Sequence, residues 1–450
     1  MKRIVITGLG VVSPLGVGAE HNWKRLLQGD SGIVKIEDID IRDIPVRIAG
    51  RVPWGEDEGQ FNINNVLPLK EQKKNDIFIV YGMAAGQQAI KDCGFIPETE
   101  EQKQRFGIMF GSGIGGLQTI YESSLAFNEL GMRCVSPFFI PSVLINLISG
   151  NLSIQFGLKG PNEACVSACS TGAHAIGEAF EIIRRGDADI MLAGSAEAAI
   201  NVLGLGGFAR MRALTPNFND EPQKASRPWD KNRSGFVMGE GAGAVVLEEL
   251  DHALARGAKI YAEVVGYGVS ADAYHITTPS GEGAERSMQM ALKKAADYGV
   301  EPQDIDYINA HGTSTLAGDV GEALAVKKVF GAHAQELSMS STKSSIGHLL
   351  GAAGSVEAVF TALAIRDQIC PATLNLEDVE DELKDMDLVP LKPKKRTIKA
   401  AMSNSFGFGG MPGKGTGKTQ NQKNKGQKLF HLLKFFQNKC CVCAAETKGV

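Results

Sequence analysis

The sequence predicts an α/β protein built from two similar halves, and three observations carry that expectation. Strand-like apolar runs end repeatedly in glycine: Val5-Ile6-Thr7-Gly8-Leu9-Gly10, Ile108-Met109-Phe110 before residues 111–116, and Asp189-Ile190-Met191-Leu192-Ala193-Gly194. Helical patterns lie between them, over residues 77–93 and 171–185, and such alternation implies sheets covered by helices. Finally, the chain repeats itself weakly. Ala168-Cys169-Ser170-Thr171-Gly172 opens a helix of small residues, as does the run from Ser344 through Gly347-His348 to Gly354, and residues 235–243 resemble 406–410. The repeat places a boundary near residues 250–260. Helices of Ala and Gly pack closely, so both openings are expected at a shared interface, where a pocket forms.

A chain of 450 residues with 43% hydrophobic and 22% charged residues can bury a large core. A net charge of −4 gives no global basic field for nucleic acid. No three-part leader precedes Ile4-Val5-Ile6 and no apolar run is long enough to span a bilayer, so no membrane attachment is expected. Eight cysteines, three of them in the tail, do not make a secreted disulfide framework, and a reduced, cytoplasmic setting follows.

Each strand end and helix opening can be weighed for chemistry. Residues 111–116, Gly-Ser-Gly-Ile-Gly-Gly, fit the dinucleotide pattern, but no second strand with a ribose-binding acid follows, so a tight strand-to-helix turn is preferred. Residues 413–419 look like a phosphate loop, but Pro412 stands where the pattern needs glycine. Cys169 opens a helix, where free N–H groups and the helix dipole favour the nucleophilic thiolate. A small buried core cysteine is the competing reading there, and it suffices for Cys93, Cys134, Cys165 and Cys370. His311 follows an apolar strand into a Gly/Thr turn and His348 sits at the second helix opening; together they point to proton or hydrogen-bond donation beside a nucleophile. No metal is expected, because neither histidine has a ligand-like spacing. Residues 406–410, Phe-Gly-Phe-Gly-Gly, either aim N–H groups at an oxyanion or form a plain glycine turn.

Read together, the segments Ala168-Cys169-Ser170-Thr171-Gly172, Ser226-Arg227-Pro228-Trp229-Asp230, Asn309-Ala310-His311-Gly312-Thr313-Ser314-Thr315, Ser341-Thr342-Lys343, residues 347–354 and Asn404-Ser405-Phe406-Gly407-Phe408-Gly409-Gly410 resemble the β-ketoacyl-acyl-carrier-protein synthases, in particular the elongating type of bacterial fatty-acid synthesis. The resemblance covers roughly residues 1–410. It implies a thiolase-like fold, two αβ halves in a five-layered αβαβα arrangement, and a homodimer. Its activity would be decarboxylative condensation of a Cys-bound acyl group with malonyl carried on acyl carrier protein, without a cofactor beyond the carrier's phosphopantetheine arm. Cys169 would take the acyl chain, His311 and His348 would assist decarboxylation, and Lys343 would support His348. The N–H groups of Cys169 and Phe408 would form the oxyanion hole. Phe406 and Phe408 would line the acyl site, with Phe408 as its gate. Thr313 and Thr315 would touch the phosphopantetheine arm, and Glu357 would be a structural acid nearby. The initiating synthases resemble Cys-His-Asn, whereas the third position here is His348, and the second cysteine of biosynthetic thiolases is missing from residues 406–410.

The sequence therefore divides into residues 1–255, residues 256–410 and a tail, 411–450. The tail holds eight lysines and one acidic residue, Glu446. It lacks the Thr-Asn and apolar strand that family members place after the glycine loop. The tail is expected to be disordered apart from a short basic amphipathic helix near residues 429–437, with the final strand missing. An inactive partner subunit or an unstable product is the alternative function on that ground. Its Cys440-Cys441-Val442-Cys443 cluster is read as part of an unevolved extension rather than a metal site.

Overall fold

The computed structural model describes residues 2–41, 43–274, 281–408 and 439–445. The first half is built on β1 (Ile4–Ser13), β2 (Phe106–Gly111), β3 (Ile190–Glu197) and β4 (Gly241–Glu249). The second is built on β5 (Ala262–Ser270), β6 (Ile305–Asn309), β7 (Ser338–Ser340), β8 (Ala400–Phe406) and β9 (Lys439–Ala445). In the first half β1 pairs β4 and β4 pairs β3, both antiparallel, while β3 with β2 and β2 with the short strand Asn162–Glu163 are parallel. The second half repeats this series: β5 with β9 and β9 with β8 antiparallel, then β8 with β6 and β6 with β7 parallel. Antiparallel pairing of Ile4–Ile6 with Ala262–Val264 joins the halves into one sheet of eleven strands.

Helices cover both faces. Helix α1 (Ile77–Cys93) starts where the Asp76 carboxylate accepts the Phe78 N–H at 3.2 Å and ends at Gly94 in the left-handed conformation. It packs outside β1, β3 and β4. Helix α2 (Leu117–Leu130) leaves the loop after β2 and has no buried residue. Helices α3 (Thr171–Arg185) and α6 (Ala353–Asp367) lie together between the two half-sheets, and α4 (Glu282–Ala295) covers β5 and β9 from the far side beside α5 (Leu316–Phe330). The layers are therefore α1, the first half-sheet, α3 with α6, the second half-sheet, and α4 with α5. The middle layer depends on small residues: a Cβ on Gly172 would lie 2.4 Å from the Ser355 backbone nitrogen, and the Ser195 and Ser355 hydroxyls meet at 2.6 Å. Among the described residues no helix is long and apolar enough to cross a membrane.

The tail corrects one expectation. Residues 439–445 do form the strand that was thought missing, with seven pairs to β8 and seven to β5. This is the place β4 holds in the first half. An alternating pattern directly after Gly410 was the wrong signal, because a strand covered by helices on both faces needs a short continuous apolar run instead. Cys440-Cys441-Val442-Cys443-Ala444-Ala445 is such a run, of small side chains. The expected helix near 429–437 and the phosphate-loop pattern at 413–419 lie outside the described residues.

Candidate active site

Cys169 stands in a single 3-10 turn, Ala168–Ser170, that leads into α3. Ala168 has φ 50°, a left-handed conformation costly for alanine. The Thr171 hydroxyl fastens the turn, donating to the Ala168 carbonyl at 2.7 Å and accepting the Ser167 N–H at 2.9 Å. Ser170 donates its hydroxyl to the Ser405 carbonyl at 3.2 Å, which ties the turn to the end of β8. Gly407 follows, and a Cβ there would lie 2.6 Å from the Ser167 carbonyl oxygen. That close approach brings the Phe408 N–H to the sulfur, where it and the N–H of Cys169 itself favour the thiolate.

Burial nevertheless dominates. It pushes the Cys169 thiol up to about 12; Lys343 pulls it down and the Glu197 carboxylate pushes it further up. The helix opening was expected to give a thiolate at rest. The dipole and the N–H groups are in place, but the enclosed sulfur stays protonated because removing the solvent costs the anion more than those groups return.

The two histidines come from the second half. His311 follows β6, and Glu322 on α5 holds its turn by accepting the His311 N–H at 2.9 Å and the Gly312 N–H at 2.8 Å. His348 is fixed through its backbone, N–H to Val237 at 2.7 Å and carbonyl from Gly239 at 2.8 Å. The two imidazoles stand edge to face with centroids 5.2 Å apart, and Phe236 and Phe406 pack on them at 5.3 and 5.5 Å. Burial, then the Lys343 cation, holds His348 well below the ordinary imidazole value, so it is neutral and keeps one ring N–H to donate. Lys343 forms a short ion pair with Glu357, and both side chains are 1% exposed. Burial pushes the Glu357 carboxyl up to about 7, against the pull of Lys343.

Cys169, His311, His348, Thr313, Thr315, Phe406 and Phe408 line one cleft of about 1240 Å³. Lys343 and Glu357 stand behind it. Thr313 and Thr315 share a 3.1 Å hydroxyl contact, and the Phe408 ring stacks on Phe208 at 6.1 Å. The nine candidate site residues therefore line this cleft or stand directly behind it. Three residues were missed. Asp319 accepts the Ser314 and Thr315 N–H groups at 3.1 and 3.3 Å, Glu322 holds the His311 turn, and Glu197 lies buried beside Cys169. The signal available for Glu197 was a carboxylate closing an otherwise uncharged apolar strand. The dinucleotide-like loop also finds its explanation there: the N–H groups of Gly113, Ile114 and Gly115 point at Glu197, so their anion is a side chain.

A buried thiol at a strained turn, two N–H groups converging on it and an imidazole pair across the cleft define a thiol-dependent acyl-transferring enzyme on a thiolase-like fold. Residues 1–253 match the beta-ketoacyl synthase N-terminal domain and residues 261–377 the C-terminal domain, and the chain belongs to the beta-ketoacyl synthase family. It is 57% identical over 413 residues to 3-oxoacyl-[acyl-carrier-protein] synthase 2 of Rhizobium meliloti, covering 91% of this chain and 97% of that one. It is 46% identical to the mitochondrial 3-oxoacyl-[acyl-carrier-protein] synthase of Arabidopsis thaliana, covering 91% of each. Among solved structures, a beta-ketoacyl synthase from Burkholderia phymatum aligns with TM-score 0.86 at 32% identity over all of both chains. AntDE:AntF, a type II PKS acyl-carrier protein in complex with its ketosynthase, aligns with TM-score 0.84 at 28% identity over 99% of this chain and all of that one.

Proposed function

We propose that this chain is an elongating 3-oxoacyl-[acyl-carrier-protein] synthase, which joins an acyl group on Cys169 to a decarboxylating malonyl thioester. The observation that carries this reading is the single cleft holding the Cys169 sulfur, the N–H groups of Cys169 and Phe408, and the His311–His348 pair. The Cys169 sulfur attacks the carrier thioester, its proton passes to the departing carrier thiol, and the oxyanion rests on the N–H groups of Cys169 and Phe408. Malonyl then loses carbon dioxide, and its thioester oxygen takes the negative charge of the enolate. A neutral imidazole donor suits that oxygen, and burial, then the Lys343 cation beside it, keeps His348 neutral. The enolate carbon attacks the Cys169 thioester, the carbon–sulfur bond breaks, and the thiolate takes up a proton from solvent. These steps balance without metal or redox cofactor.

Thr313 and Thr315, which line the cleft, would contact a phosphopantetheine arm, and acyl carrier protein is the partner, as in the AntDE:AntF complex. A homodimer would account for two features: the sheet ends at the exposed strand Asn162–Glu163, and Phe127, Leu130, Met132, Ile140 and Ile154, nearby in sequence, are exposed. Cys93, Cys134, Cys165, Cys169 and Cys370 are free thiols, which agrees with a cytoplasmic setting. The test is acyl- and malonyl-carrier incubated with the full chain and with Cys169→Ala. The wild type forms 3-oxoacyl-carrier and a covalent acyl-enzyme and the variant forms neither; acyl label remaining on the variant overturns the reading.

A further inference from the structure

Glu197 closes β3, is fully buried, and takes no part in the reaction described above. Its Oε1 accepts the Ser112 hydroxyl at 2.8 Å and the Ile114 and Gly115 N–H groups at 3.2 and 3.4 Å. Its Oε2 accepts the Gly113 N–H at 2.9 Å and, from the other half of the molecule, the Gly351 N–H at 3.1 Å. All of these partners donate. Burial pushes the Glu197 carboxyl up, and this set of donors works against burial in favour of the carboxylate.

Three turns meet at this carboxylate. One follows β2, one carries Cys169, and one follows His348 by three residues. They are packed to backbone contact: a Cβ on Gly351 would lie 2.2 Å from the Gly113 nitrogen, and one on Gly113 would lie 2.7 Å from Glu197 Oε2 and 3.2 Å from the Ala168 carbonyl oxygen. Leu350, between His348 and Gly351, has φ 50°, a strained conformation that the surrounding contacts must hold. The carboxylate thus binds a backbone N–H three residues after His348 and also that of Gly113, which packs against the Ala168 carbonyl of the nucleophile-bearing turn.

We propose that Glu197 is a positioning residue that fixes the His348 turn relative to Cys169, and so couples decarboxylation on one half to carbon–carbon bond formation on the other. This rests on the condensing activity proposed above. Loading uses the sulfur and its two N–H groups; decarboxylation uses the imidazoles; only the final attack needs both sets in register. Loss of the carboxylate should let the first two steps proceed while enolate is lost to protonation, so that carbon dioxide release exceeds 3-oxoacyl formation. A second consequence is electrostatic. The titratable groups around the sulfur are Lys343 with its partner Glu357, Glu197, His311 with Glu322 beneath it, and His348, and Glu197 is the anion that acts against thiolate formation. Removing it should ease ionisation of Cys169.

The experiment uses the full chain, wild type, Glu197→Gln and Ser112→Ala. Carbon dioxide and 3-oxoacyl product are quantified from the same incubation, and alkylation of Cys169 by iodoacetamide is followed across neutral to alkaline pH without substrate. The wild type should give a ratio of one. Glu197→Gln should raise it to roughly threefold or more and shift the alkylation profile to the acid side. Ser112→Ala removes one donor and should raise the ratio less, which serves if the glutamine variant does not fold. A parallel fall of all steps with the ratio at one, or an unmoved alkylation profile, overturns the proposal. A wild type that alkylates but forms no 3-oxoacyl product overturns the condensing activity instead, and the alkylation shift still tests the placement of Glu197.

Discussion

Ending the chain at Gly410 should destroy the second half. Strand β9 lies between β8 and β5, and seven residue pairs on each side make about fourteen ladder bonds, each worth a net ~0.5–1.5 kcal/mol. The loss is then roughly 7–20 kcal/mol, against the ~5–15 kcal/mol by which whole domains are stable. Water cannot replace the lost partners cheaply, because Ala400–Phe406 is buried at every residue and α4 covers β5 and β9 from outside. Truncated and full chains would be compared by soluble yield, gel filtration and thermal melt. The truncated chain should aggregate or melt without a cooperative transition. If it remains soluble with a midpoint within about 5 °C of the full chain, the reasoning from the ladder is wrong, since a ~1 kcal/mol change alone shifts a midsized domain by 2–4 °C. Val442→Pro is the milder version. Val442 pairs with both Ser403 and Tyr267, and a proline there removes a ladder donor from an inner strand and should lower the melting midpoint.

Other expectations follow from the site and its supports. In His311→Ala and His348→Ala, acyl loading should survive while carbon dioxide release falls ~10²–10⁴-fold, and equal loss of both steps in radiolabel assays would contradict the assignment. Lys343→Met leaves Glu357 buried without its cation and should lose ~3–5 kcal/mol by denaturant titration, while Lys343→Met with Glu357→Leu should regain most of it; a stable single variant would refute the pairing argument. Stability should also depend on pH through His252, Glu248 and Arg256. Hydrogen bonding to Glu248 raises His252 above its ordinary 6.5, so its contribution is complete below that value and is lost as pH rises through the folded value. Burial pushes Glu248 up, but hydrogen bonds from Arg256 and His252 outweigh it and leave it below its ordinary 4.5, so its contribution is present above that value and lost on acidification. The melting difference between wild type and His252→Gln should therefore shrink with rising pH, and a constant difference would refute this.

The sequence made the local elements legible. Helices over 77–93 and 171–185 were read with their observed limits because their periodicity and the glycines just beyond them, Gly94 and Gly186, are local signals. Cys169, His311 and His348 were legible because each stands at a junction of strand, turn and helix. What stayed hidden depends on distance. Glu197 contacts Gly351 across 154 residues, and nothing near either residue announces the other. Strand β9 was missed because a fully covered strand is recognised by its two neighbours rather than by its own pattern. The thiol's protonation was misread because a helix opening is visible in sequence and enclosure of a sulfur is not.

That enclosure bears on survival of the resting enzyme among cellular oxidants. Peroxide and electrophiles attack thiolate, and burial pushes the Cys169 thiol up, away from that form. An idle molecule is thereby kept off the path to sulfenic and sulfinic acid, whose later steps are irreversible. Reactivity is then conferred by the arriving thioester, whose carbonyl oxygen meets the waiting N–H groups, so the nucleophile discriminates by geometry where an acidic cysteine would react with whatever reached it first.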